Sequence, residues 1–116
     1  MEDDQIYRRR AEGIVSVYMT FPDEPTAARI VAELLDERLI ACANLLPGAR
    51  SFYRWEGEVQ DEVEVVAFAK TLEARLGRVV ARVRDLHPYD TPCIVALAVA
   101  GGFGGYLEWV REEAAS

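Results

Sequence analysis

The chain has 116 residues, about half of them apolar, enough for one domain with a modest core and too few for a second. Twenty acidic residues against 13 basic ones give a net charge of -7, which excludes a surface built to neutralise nucleic-acid phosphates. The longest apolar run, residues 93–105, is too short and too rich in glycine to span a bilayer, so neither nucleic acid nor membrane is expected as a partner.

Residues 1–12 are polar and charged and read as a flexible leader ahead of a single domain over 13–116. The run Arg8, Arg9, Arg10 follows Glu2, Asp3 and Asp4 and belongs to that solvated tail. MEDDQIYRRR lacks the positive start, apolar middle and cleavage site of a secretory signal. Cys42 and Cys93 lack CxxC spacing and suit a reducing compartment as free thiols. Together these predict a cytoplasmic protein.

IVSVYMT, residues 14–20, is rich in β-branched and aromatic residues and predicts a buried strand. In FPDEPTAARIVAELLDERLI, Asp23 or Glu24 caps a helix with Pro25 in its first turn, and Ala27, Val31, Leu34 and Leu35 form its apolar stripe. ACANLLPGARSFYRWEG reads as a second strand, interrupted by a bend or bulge at Pro47-Gly48 and resumed from Ser51 to Trp55. Glu56-Gly57 marks a reversal, after which EVEVVAFAK returns as a third strand.

In TLEARLGRVVARVRDLHPY, Thr71 is the expected cap, and Leu72, Leu76, Val79, Val80, Val83 and Leu86 recur at helical steps. Arg75, Arg78, Arg82 and Arg84 mark its solvated face. Pro88 disfavours helix at the residue before it, which places His87, the only histidine, on an exposed rim where the helix stops. CIVALAVA is the last strand, GGFGG a loop, and YLEWVREEA a short amphipathic helix.

The order βαββαβ plus a terminal helix predicts an α+β, ferredoxin-like sandwich with both main helices on one face of an antiparallel sheet. Ten helical residues cannot hide the other face of four strands, so self-association is expected.

ACANLLPGARSFYRWEGEVQ, EVEVVAFAKT, HPYDTP and YLEWV, in this order and spacing, resemble the CutA divalent-cation-tolerance family from about Val15 to Val110. The resemblance implies a tight homotrimer, close in architecture to the PII signalling proteins, with copper or another divalent cation as its metal and no organic cofactor. It aligns Ala41, Cys42, Asn44, Pro47, Gly48, Tyr53, Trp55, Gly57, Glu64, Lys70, Thr71, His87, Pro88, Tyr89 and Pro92 with family positions. The chain departs from it at Met19, Leu86 and Cys93, where some or most relatives carry cysteine, histidine and glutamate.

Two functional readings follow. In the first, the protein is a trimeric, metal-responsive tolerance protein in which His87, Met19 and Cys42 hold copper weakly, Cys93 being an alternative thiolate; a thioether and a thiolate favour Cu(I). Against it stands core packing for Met19 and Cys42 and a structural bond from the His87 ring to a carbonyl. In the second, Glu64, Lys70, His87 and Tyr89 line a subunit cleft of a PII-like module that takes a small anionic ligand or a protein partner, unless Glu64 and Lys70 form a structural ion pair. Tyr53, Trp55 and Trp109 are read as oligomer contacts. No GxSxG, HExxH or phosphate-loop motif occurs, and an enzyme using Cys42 or Cys93 with His87 is not the expected class.

Overall fold

The computed structural model describes residues 11–115. Four strands and three helices follow the expected order: β1 (Ile14–Phe21), α1 (Glu24–Asp36), β2 (Cys42–Trp55), β3 (Glu58–Leu72), α2 (Leu76–Leu86), β4 (Ile94–Ala98) and α3 (Gly104–Glu113). The sheet is antiparallel throughout in the order β2-β3-β1-β4, which makes the fold ferredoxin-like with an added C-terminal helix. Most of the expected leader lies outside the described residues; Ala11, near its end, is buried against α3.

Strand alternation divides the side chains between two faces. Val15, Val17, Met19 and Phe21 of β1 and Val65, Ala67 and Ala69 of β3 point toward α1 and α2, forming the main core with Ile30, Leu34, Val79 and Val83. The intervening Ser16, Tyr18 and Thr20 lie on the opposite face, opposite Lys70, Phe68 and Val66. There α3 covers one end only, packing Leu107, Val110 and Ala114 over Ile14 and Ala41. The remainder, including Leu46, Val95 and Leu97, is about half exposed.

The helices form for local reasons, with corrections. Asp23 caps α1, accepting the Thr26 N–H at 2.8 Å, and Pro25 sits in the first turn. Ile30 completes the buried stripe with Ala27, Val31 and Leu34, whereas Leu35 turns outward because one more step of about 100° carries it off the face. Thr71 does not cap α2. It remains in β3, opposite Val15, and its buried hydroxyl donates to the Leu39 carbonyl at 2.6 Å. A 3-10 turn, Glu73–Arg75, intervenes before α2 begins at Leu76 without a side-chain cap.

β2 and β3 form a hairpin that projects well beyond the helices. The described chain is 51 Å long, and its radius of gyration of 15.4 Å exceeds the roughly 13 Å of a compact chain this size. The turn Glu56-Gly57 has φ of 51° and 81°, the left-handed pair a two-residue hairpin turn requires. At Pro47-Gly48 the strand bulges rather than breaks: Leu46 faces Val66 but Ala49 faces Glu64, so β2 carries one extra residue. Gly48 absorbs the kink with φ of 83°. The bulge switches the parity of β2, bringing Tyr53 and Trp55 onto the same face as Leu46 and putting Arg54 on the other.

Candidate functional site: a cleft between the hairpin arm and the HPY turn

Pro88 ends α2 as its backbone chemistry dictates, leaving His87 extended at φ -77°, ψ 137°. The exposed rim expected for His87 is wrong for its side chain, which is 7% exposed. The ring stacks on Phe21 with centroids 5.1 Å apart. The Tyr89 N–H donates to Nδ1 at 3.1 Å, which fixes the proton on Nε2, and Nε2 donates to the Thr20 carbonyl at 2.8 Å. β4 pairs with β1 only as far as Met19, so the Thr20 carbonyl lies beyond that ladder and the imidazole supplies its donor.

This anchoring aims Tyr89 across the turn. Its ring lies 4.7 Å from that of His87, and its hydroxyl donates to Glu64 Oε2 at 3.0 Å. Glu64 is 6% exposed, an unusual position for a carboxylate, and among the described residues no cation pairs with it. Burial and then the Glu64 bond hold the Tyr89 phenol far above its ordinary range. Burial also pushes the Cys93 thiol up and the Glu64 charge adds to this, while a hydrogen bond to Thr20 offsets part of it.

These groups line a cleft of about 630 Å3 together with Tyr18, Ser51, Phe52, Tyr53, Trp55, Asp90 and Thr91. Arg50 also reaches it, but its guanidinium is committed to Asp61 through two bonds of 2.9 and 2.7 Å. The Tyr53 hydroxyl donates to Glu62 at 2.9 Å, which holds that ring against the arm.

The metal set expected from the sequence does not converge within the chain. Met19 is fully buried on the helix side of the sheet, while Cys42 pairs in register with Lys70 on the other side. The Cys42 thiol lies 3.2 Å from the Tyr106 hydroxyl, and both ring nitrogens of His87 are engaged. No group of three or more His, Cys, Asp and Glu side chains is assembled for a metal among the described residues. Nor does Lys70 join the cleft. It shares a face with Glu64, as expected, but six residues of β-strand separate them by about 20 Å. The cleft thus gathers Glu64, Tyr89 and, through its backbone anchor, His87, and leaves Lys70 apart. Tyr53 and Trp55 sit on its walls, while Trp109 stacks on Tyr106 at 5.7 Å on α3.

Tyr18 and Thr20 were missed as lining residues. The signal was present in β1, where Ser16, Tyr18 and Thr20 alternate with Val15, Val17 and Met19, a two-faced pattern inside a run that reads as uniformly buried. No helix among the described residues is long and apolar enough to cross a membrane.

Comparison with known proteins agrees with this architecture. The family model described as CutA1 divalent ion tolerance protein matches residues 15–113. The Divalent-cation tolerance protein CutA of Thermus thermophilus is 45% identical over 96 residues, covering 83% of this chain and 93% of the relative. That of Pyrococcus horikoshii is 45% identical over 100 residues, covering 86% and 97%. The crystal structure of CutA from Xylella fastidiosa superposes with a TM-score of 0.86 at 36% identity, covering 89% of this chain and 99% of that one.

Proposed function

Because the chain belongs to the CutA1 divalent ion tolerance family, we propose that it serves divalent-cation tolerance as a cytoplasmic homotrimer that binds copper or another divalent cation weakly. The observation that carries this reading is Glu64, a buried carboxylate without a cationic partner among the described residues, in the same cleft as Cys93. A carboxylate and a thiol are two ligands where a first-row ion collects three or four, so water or a neighbouring copy completes the shell and affinity stays low. The proposed metal position therefore moves from His87, Met19 and Cys42 to Glu64 and Cys93. The family is named for ion tolerance and not for a reaction, and the reading assigns no catalytic residue.

Calorimetric titration with Cu(I) under reducing conditions and with Zn(II) tests this. Saturable uptake is expected in the wild type and in Met19→Leu, with at least a tenfold loss in Glu64→Gln and Cys93→Ser. Absence of uptake, or uptake indifferent to both cleft substitutions, sinks the metal reading.

The aromatic walls of the cleft favour a second reading, a PII-like regulatory module that takes a small ligand or a protein partner there. An anionic ligand would need an uncommitted cation, and Arg50, which lines the cleft, is engaged by Asp61. Lys70 of a neighbouring copy is the available source in a trimer.

A further inference from the structure

We infer that the cleft between the hairpin arm and the HPY turn binds a small organic ammonium ion. The inference rests on the reading of this cleft as a ligand site and gives that ligand its charge and chemical class.

Glu64 is buried, and its one hydrogen-bond donor among the described side chains is the neutral Tyr89 hydroxyl, which leaves the carboxylate without a cationic partner within the chain. Asp90 adds a second carboxylate at the rim. The guanidinium of Arg50 is occupied by Asp61, so it has little left to offer an anion. An incoming anion would meet a buried like charge, whereas a cation would relieve one.

The remaining walls decide which cation. Tyr18, Tyr53, Trp55 and Tyr89 present aromatic rings to the cleft, and the electron-rich faces of such rings attract weakly hydrated alkylammonium groups. A divalent metal gains little from ring faces and needs several anionic or lone-pair donors. A volume of about 630 Å3 is also far larger than a bare ion requires and falls in the range of small-molecule sites. A carboxylate floor under aromatic walls, with neutral Thr20 and Cys93 beside it, is the arrangement that selects a positively charged organic group over its neutral isostere.

Trp55 provides the readout. In a Trp109→Phe background, tetramethylammonium chloride and choline chloride are titrated at constant chloride, with 3,3-dimethyl-1-butanol as the uncharged analogue of choline. Saturable quenching of Trp55 by both ammonium salts is expected, at least tenfold weaker for the alcohol and at least tenfold weaker in Glu64→Gln, whose circular dichroism should match the parent. Equal response to the alcohol, or an unchanged response in Glu64→Gln, overturns the inference. It is also overturned if quenching appears only after Lys70→Gln, since the site would then be filled by the lysine of a second copy. Copper or zinc uptake in the same protein without ammonium binding overturns this inference alone and leaves the metal reading standing.

Discussion

The hydroxyl of Thr71 satisfies the Leu39 carbonyl where the chain enters β2, at full burial. Thr71→Val keeps the shape and removes the donor, so it is expected to cost about 1–3 kcal/mol in urea unfolding. Thr71→Ser keeps the donor and loses a methyl group, for about 1 kcal/mol; a Ser variant less stable than the Val variant would refute the assignment. Cys93 supplies a pH test. Its thiol is raised by burial and by Glu64, so at pH 8.5 it should alkylate with iodoacetamide more slowly than the same cysteine in the urea-unfolded chain. The raised value also means that the associated stability is complete below the ordinary thiol range and is lost as pH rises through the folded value. His87 shows what residue types alone leave undetermined. Pro88 fixed its backbone, but the direction of its ring was set by a carbonyl of β1, 67 positions away.

The bulge at Pro47-Gly48 is the element on which the cleft depends. Were the same sequence to run from Leu46 to Trp55 in regular alternation, with no bulge, Phe52 and Arg54 would take the face now held by Tyr53 and Trp55. Gly48→Ala meets no atom within 4 Å but holds an L-residue at φ 83°, so a loss of about 1 kcal/mol is expected by thermal unfolding, with the fold retained. The order and type of all seven elements could be read from periodicity, caps and turn residues, since these signals are local. The start of α2 could not: Thr71 and Leu72 fit a cap and a first turn equally well, and pairing with β1 decided for the strand. Within the chain Lys70 lies apart from Glu64, because sharing a face of a strand says nothing of the distance along it.

At the scale of the molecule, an apolar sheet face with Leu46, Val95 and Leu97 about half exposed needs a cover that α3 does not reach. The proposed trimer supplies it. Light scattering at micromolar concentration should give three times the chain mass, and Leu97→Glu should reduce it toward one chain by burying an unpaired charge. Trp55→Ala is expected to weaken assembly by about 2 kcal/mol if its ring anchors a neighbour. A wild-type monomer would end the trimeric reading. The sheet order has a further consequence during synthesis. β1 is made before any other strand, yet it occupies an interior position and pairs only with β3 and β4. Roughly sixty residues separate Ile14 from its partner Leu72, so at about 5–20 residues per second IVSVYMTF waits several seconds on the ribosome without a mate. The β2-β3 hairpin, closed by a two-residue turn, can zip within about 1–10 μs of emerging, and it then gives the waiting strand an edge to join.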